Sequence, residues 1–296
     1  LIRFRSWVLA ARPKTLPAAA SPVLVGSALA FEVGGFALGP ALAALFGALF
    51  LQVGSNLAND VYDFEQGVDT ASRLGPVRVT QAGLLTVEDV KHGMWLAFYL
   101  AAVLGAYLTA IAGWPVVVIG LASIVAAIAY TGGPFPLGYR GLGDLFVLLF
   151  FGFVAVCGTV WVQVGTILPA AWPAGLMVGC LASAILVVNN VRDHETDRIA
   201  GKRTLPVMFG RTFGVIEYAV LLIVAFASAY AMVWFRYVSA WALISYLTLP
   251  IAIVLFLHVR KYRGPVLNHT LAQTAKLLFL FSALFSMGVV VGVLVP

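Results

Sequence analysis

Nine long apolar stretches leave this chain few ways to fold. They lie near residues 15–31, 40–57, 93–111, 115–130, 144–164, 172–190, 214–233, 238–257 and 274–295. Each is roughly 16 to 24 residues long, the length of a helix that crosses a hydrocarbon core of about 30 Å. With 62% hydrophobic and 10% charged residues and a mean hydropathy of +1.00, an ordinary soluble domain is excluded. The expectation is an all-α polytopic membrane protein with nine transmembrane helices, residues 1–296 forming one integral-membrane domain. The first stretch is the weakest, because Pro17 and Pro22 interrupt it.

The basic residues set the expected orientation, since Lys and Arg collect in cytoplasmic loops. Counting stretches from the N-terminus, 17 of the 18 basic residues fall on one side and only Arg236 on the other. Every acidic residue except Glu32 shares that side. The N-terminus is therefore expected inside and the C-terminus outside. The net charge of +6 fits a surface lying against anionic headgroups and needs no nucleic acid to explain it. Cys157 and Cys180 sit within apolar stretches and read as small buried hydrophobes, with no disulfide framework. "LIRFRSWVLAARPKT" has no signal-peptide cleavage pattern and reads as an interfacial amphipathic lead-in.

Against this background "NLANDVYDFEQGVD" stands out, because carboxylates at a bilayer edge are costly unless something cationic neutralises them. It opens the first of two large cytoplasmic cap segments, about 58–92 and 191–213. The second opens with "NNVRDHETD", so Asn56 stands four residues before Asp60, Asn189 four before Asp193, and Asp197 four further on. Residues four apart share a helix face, so each helix end presents a ladder of amide and carboxylate oxygens. The recurrence suggests a weak internal repeat, the first four spans echoed by the next four.

Asp60, Asp63, Asp69, Asp193 and Asp197 would bring five negative charges to one cleft. Mg²⁺ takes oxygen ligands and bridges one or two carboxylates to substrate phosphates, and the scattered His92, His194, His258 and His269 offer no competing site. The bland alternative is solvated charge or ion pairing with Arg192, Arg198 and Arg203; recurrence at two helix ends on one face argues against it. Arg73 and Arg78 in "SRLGPVRVTQAG", with Lys202 and Arg203 in "GKRTLP", are the natural clamps for a diphosphate. A third segment, "YTGGPFPLGYRGLGDL", has the Gly and Pro content of irregular backbone lining a cavity, although an ordinary tight loop fits it too. Its chemical groups are Tyr130, Tyr139, Arg140 and Asp144, and the Tyr130 ring face suits a cation.

The same segments, with "ARPKTLPAA" ahead of the first span, resemble the UbiA-type intramembrane aromatic prenyltransferases almost end to end, and most closely the naphthoate branch of menaquinone synthesis. The resemblance implies helices around a lipid-open central cavity under cytoplasmic cap loops. It also implies two Mg²⁺ held by the Asp motifs: Asn56, Asp60 and Asp63 with Asp69 as a late member, then Asn189, Asp193 and Asp197. The implied substrates are a polyprenyl diphosphate and 1,4-dihydroxy-2-naphthoate, which loses CO₂ to give demethylmenaquinone. Tyr139, Arg140, Asp144 and Lys14 are the candidates for holding the acceptor. "FEQGV" sets Asp69 further out than in the ubiquinone branch, which favours the naphthoate branch and weakens Asp69 as a ligand.

The expected chemistry is ionisation of an allylic diphosphate, with metal and basic side chains stabilising the leaving group. The expected location is a bacterial inner membrane. Phytyl transfer to the same acceptor, or prenylation of 4-hydroxybenzoate or homogentisate, remain alternatives. A secondary transporter would place its ionisable groups near mid-membrane, and the DG-x-x-A-R run of CDP-alcohol phosphotransferases is absent.

Overall fold

The computed structural model describes residues 2–67 and 74–295, and among them every regular element is helical. Asp69 and Arg73 lie outside the described residues. A short helix α1 (Ile2–Ala11) leads in, with Ser6 and Ala10 buried and Arg3, Phe4, Arg5 and Leu9 exposed. Its Trp7 ring lies against Gly93, where an added Cβ would come within 2.5 Å of it. Arg3 bonds Asp89 at 2.9 Å. The chain turns at Arg12, whose φ of 50° is left-handed, and passes through the 3₁₀ turn Pro13–Thr15 into α2 (Leu16–Glu32).

The two prolines do not break α2. Pro17 sits in the first turn, where its missing N–H has no partner to lose. Pro22 is interior, and the helix continues through it while the Ser21 hydroxyl donates to the Pro17 carbonyl at 2.7 Å.

Then follow α3 (Leu38–Glu65), α4 (Val87–Ala112), α5 (Pro115–Ala129) and α6 (Gly143–Val147), the last running through a π-helical stretch, Leu148–Val154, into α7 (Ala155–Val164). After α8 (Ala171–Ile199) come the short α9 (Leu205–Phe209) and α10 (Arg211–Trp234). A 3₁₀ stretch, Ala240–Thr248, leads to α11 (Leu249–Lys261), and α12 (Leu267–Leu294) closes the chain. Eight of the described helical stretches are long and apolar enough to cross a membrane. The expected ninth, α5, has 15 residues, about 22 Å of helix, so it falls short of a full span. The protein is an integral membrane protein, with eight long apolar helical stretches and one shorter apolar helix among the described residues.

Two boundaries move. The stretch expected to end at 57 continues as helix to Glu65, and that expected to end at 190 continues to Ile199. Hydropathy marks where lipid stops; the helix persists because the polar residues beyond that point find partners in the loops folded over them. The irregular parts of both cap segments are correspondingly shorter.

Neighbouring helices pack in sequence around a ring, α2 on α3, α3 on α4, α4 on α5, α5 on α7, then α7, α8, α10, α11 and α12, which returns to α2. Of the spans, α8 is the most enclosed, touching α2, α7, α10, α12 and the π-helical stretch. In a bilayer the outside of a helix is as apolar as its partner, so association depends on close contact between small residues. Gly152 and Gly179 serve this on facing helices: a Cβ on Gly152 would lie 2.5 Å from the Gly175 carbonyl oxygen, and one on Gly179 would lie 2.8 Å from that of Leu148. At α12, a Cβ on Gly288 would come within 2.1 Å of the Trp241 carbonyl oxygen. Arg211 closes one end of the ring by donating to the carbonyl of Val259 at 2.6 Å, in the last turn of α11, and to that of Tyr262 at 2.7 Å, just beyond it.

Gly288→Val therefore has to push two backbones apart. Overpacking of this kind costs about 1–3 kcal/mol, and the expected result is an apparent unfolding midpoint in detergent lowered by roughly 5 °C. Gly120→Ala, with nothing within 4 Å of the new Cβ, is the control that leaves the midpoint in place.

Candidate active site at one end of the helix bundle

The last turns of α3 and α8 carry the two acidic ladders, and the loops that follow fold back over them. Asp60 is 1% exposed. Its carboxylate accepts from the backbone N–H of Val79 at 3.2 Å and of Thr80 at 3.1 Å, and from the Thr80 hydroxyl. Arg12 stands 4.0 Å away. Asp60 thus acts on the backbone as a cap does, drawing the 78–80 stretch onto the helix end. One turn on, Asp63 is equally buried and accepts from Arg78 at 2.6 Å and from the Tyr139 hydroxyl. A buried carboxylate needs such charged, hydrogen-bonded partners to remain ionised.

The second ladder is satisfied differently. Arg192 folds back on its neighbour Asp193, donating to both carboxylate oxygens, and its remaining N–H groups reach Asn189 at 2.7 Å and Asn268 at 2.6 Å. Asn268, at the start of α12, donates in turn to the Leu74 carbonyl at 2.8 Å. One amide therefore ties the second ladder to the loop that covers the first. Asp197 faces Lys202 at 3.8 Å, and the Lys202 ammonium stands 4.4 Å over the Tyr139 ring.

Tyr139 is the joint between the ladders: its hydroxyl is on Asp63, its ring is under the lysine that pairs with Asp197, and its carbonyl accepts the Arg203 N–H at 2.8 Å. The two helix tips are brought together. Tyr130, just beyond the end of α5, lies beside them. Gly138 and Gly143 leave room for it, since a Cβ on either would come within 2.9 or 2.8 Å of the phenol. Loss of surrounding water, followed by the negative charges of Asp144, Asp63 and Asp197, pushes the Tyr130 hydroxyl well above the ordinary phenol range. It stays protonated.

Several expected residues lie elsewhere. Asn56 does not face the ladder: its amide donates to the Ala11 carbonyl and the Thr15 hydroxyl, both at 3.0 Å, fixing the turn between α1 and α2. Lys14 is exposed on that turn and forms no ion pair among the described residues. Arg203 is exposed beside Arg140, apart from the acidic groups. Asp144 opens α6 near Tyr130, outside the ion pairs of the two ladders, and its carbonyl accepts from Ser183 at 3.3 Å. Thr80, Arg192 and Asn268 complete the constellation without having been singled out as its members. Arg192 had a signal in its place inside "NNVRD"; Thr80 and Asn268 belong to segments with no acidic pattern of their own.

Among the described residues no three His, Cys, Asp or Glu side chains gather closely enough to hold a metal between them. Mg²⁺ does not require three. One or two carboxylates, with waters and substrate phosphates, are its usual set. Asp63 and Asp197, flanking Tyr139, fit that demand as hard oxygen donors. All four carboxylates have partners, Asp63 in Arg78 and Tyr139, Asp197 in Lys202, Asp60 in Thr80 and Asp193 in Arg192, so each would hold a metal only by sharing or giving up a partner.

The sequence profile of the UbiA prenyltransferase family matches residues 19–283. A protein of Escherichia coli (strain K12) named 1,4-dihydroxy-2-naphthoate octaprenyltransferase is 36% identical over 97% of this chain and 96% of its own length. Among solved structures, the apo UbiA homolog from Aeropyrum pernix K1 superposes with a TM-score of 0.73 at 16% identity, covering 95% of this chain and 98% of that one. A UbiA homolog from Archaeoglobus fulgidus bound to DMAPP and Mg²⁺ does so with a TM-score of 0.69 at 16% identity, covering 95% and 99%.

Asn268→Ala removes the amide that joins Arg192 to Leu74. A lost hydrogen bond to a charged, part-buried group costs about 1.5–3 kcal/mol. The expected outcome is a lowered thermal midpoint together with faster proteolytic cutting in the cap segments, read by mass spectrometry of the fragments.

Proposed function

Because the chain belongs to the UbiA prenyltransferase family, we propose that it transfers a polyprenyl group from a polyprenyl diphosphate to 1,4-dihydroxy-2-naphthoate with loss of CO₂. The product is demethylmenaquinone at the quinol level, since no oxidant takes part. The observation that carries the reading is the meeting of two acidic helix ends through Tyr139. The near full-length likeness to the E. coli protein named for this acceptor supports the choice of substrate.

In this reading the C–O bond of the allylic diphosphate breaks and its electron pair leaves with the diphosphate. Arg78 and Lys202, already held by Asp63 and Asp197, receive the growing negative charge. Asp63 and Asp197 are the carboxylates that would hold Mg²⁺, which would supply further charge stabilisation to that leaving group when bound. The protonated Tyr130 presents a neutral ring face to the allylic cation, and the surrounding apolar helices keep water from it. The acceptor ring carbon that bears the carboxylate forms the new C–C bond. The carboxylate departs as CO₂ and leaves its bonding pair to the ring, so no base has to remove a ring proton. The concentration of basic residues at this end fits a cytoplasmic site, with the N-terminus inside and the C-terminus outside.

The test is prenyl transfer in membranes, with products identified by mass spectrometry across a panel of aromatic acceptors. EDTA is expected to abolish transfer and Mg²⁺ to restore it. Asp63→Asn and Asp197→Asn are each expected to lower kcat by about 100-fold or more, the scale of losing one electrostatic contact to the transition state. Preferred prenylation of 4-hydroxybenzoate or homogentisate would overturn the acceptor assignment, and full activity in EDTA would overturn the metal.

A further inference from the structure

Charge is unevenly divided along the chain. Residues 1–217 hold 13 basic and 12 acidic residues, a balance of +1, whereas residues 218–296 hold five basic residues and no acidic one, which supplies the rest of the net +6. Four of those five, Arg260, Lys261, Arg263 and Lys276, lie on the α11–α12 hairpin, whose 3₁₀ turn Gly264–Val266 opens with Gly264 at a φ of 63°. All four side chains are exposed, and none forms an ion pair among the described residues. The counter-charge that a helix C-terminus offers is also taken. Arg211 donates to the carbonyls of Val259, Arg260 and Tyr262, so the partial negative charge at the end of α11 is already answered from α10. Arg263 stands close enough for its charge to oppose that of Arg211. Lys276 adds depth to this patch. Asn268 meets Arg192, two residues past the apolar stretch 172–190, and Lys276 lies about 12 Å further along α12. It shares a helix face with His269 and Gln273, whose side chains touch at 3.2 Å. Phe279 and Leu280 beyond it, and Val254 and Leu257 on α11, are exposed. An unpaired ammonium among lipid-facing side chains is costly unless its tip meets the headgroups.

We propose that the α11–α12 hairpin binds the headgroup of an anionic phospholipid, with Lys276 reaching its phosphate from within the bilayer and Arg260, Lys261 and Arg263 completing the positive field above it. Basic groups of this kind at a membrane surface attract anionic lipid at a scale set by each cation. A water-soluble phosphate could meet the three cations at the turn but not Lys276, which stands among apolar side chains. An acidic protein segment would stop at the surface for the same reason. A phospholipid alone brings a phosphate and an apolar body to one place. Tyr262 fits the headgroup level too, as an aromatic ring with His258 at 5.2 Å and the Lys261 ammonium at 5.3 Å. The patch adjoins the second ladder, since Asn268 next to His269 bonds Arg192 and the Leu74 carbonyl. A bound lipid therefore braces the end of α12 that holds the cap. The lipid site is independent of the prenyl-transfer reading, and its test needs no turnover.

The full chain in a neutral detergent, with EDTA present, is titrated with phosphatidylglycerol, with phosphatidylcholine of the same acyl chains, and separately with inorganic phosphate. Bound lipid is counted by native mass spectrometry, and the unfolding midpoint is followed in parallel. The expected result is phosphatidylglycerol held at least about tenfold more tightly than phosphatidylcholine, with a raised midpoint and no response to inorganic phosphate. Lys276→Gln is expected to weaken that preference about fivefold, the scale of one cation at a lipid surface, and Lys276→Arg to keep it. Neutralising all four, as Arg260→Gln, Lys261→Gln, Arg263→Gln and Lys276→Gln together, is expected to abolish it. Arg211 stays in place because it holds the end of α11. The four positions are exposed, so the lipid-free midpoint is expected to match the wild type. The double variant Arg5→Gln with Arg198→Gln removes two exposed cations elsewhere on the protein and is the control that keeps the preference. Four outcomes overturn the proposal: equal retention of both lipids by the wild type, an unchanged preference in Lys276→Gln or in the fourfold variant, the same stabilisation by inorganic phosphate, or the same loss in the control.

Discussion

Asp60 and Asp63 lie at the end of an apolar helix with almost no solvent contact, and the arrangement of the whole cap follows from satisfying them. A carboxylate in that position needs hydrogen-bond donors and positive charge or it loses its ionisation. The donors come from outside α3. Val79 and Thr80 supply backbone N–H groups, Arg78 a guanidinium and Tyr139 a hydroxyl. Each of those bonds draws a different segment over the helix tip. The first cap loop and the connection after α5 are thus folded by the acidic ladder they cover.

The two ladders look alike in sequence and behave differently in space. Asp60 binds backbone, whereas Asp193 takes its neutralising charge from Arg192 next to it. The second ladder is therefore self-contained, and Asn268 connects it to the rest. This difference has a chemical consequence. The inner carboxylates, Asp60 and Asp193, meet Thr80 and Arg192, while Asp63 and Asp197 are paired with Arg78 and Lys202 on either side of Tyr139. Position along each ladder sets which partner a carboxylate meets.

Glycine has a related role at both ends of the structure. Within the bundle, Gly152, Gly179 and Gly288 let helix backbones touch where lipid gives no drive to associate. In the cap, Gly138 and Gly143 make room for Tyr130, and Gly141 lets two loop segments approach each other closely. The same lack of a Cβ serves the membrane body and the cap.

By itself, the sequence determined what local pattern can determine. The apolar lengths specify membrane-spanning helices, the repeated four-residue spacing specifies oxygen ladders on two of them, and the parity of spans puts both ladders on one side. Tyr130 and Tyr139 are legible as groups near those ladders because they sit in an irregular Gly- and Pro-rich segment. The partners are not legible. Asp63 meets a tyrosine 76 residues away, and the amide that joins the two cap loops lies 194 residues from its acceptor. Asn56 shares the spacing of the ladder yet turns to the α1–α2 junction, because a helix has neighbours on more than one side. Helix spacing fixes which residues share a face; only the packing of distant segments decides what that face meets, and so tertiary structure alone chose which partner each carboxylate meets and which loop segments close over the helix ends.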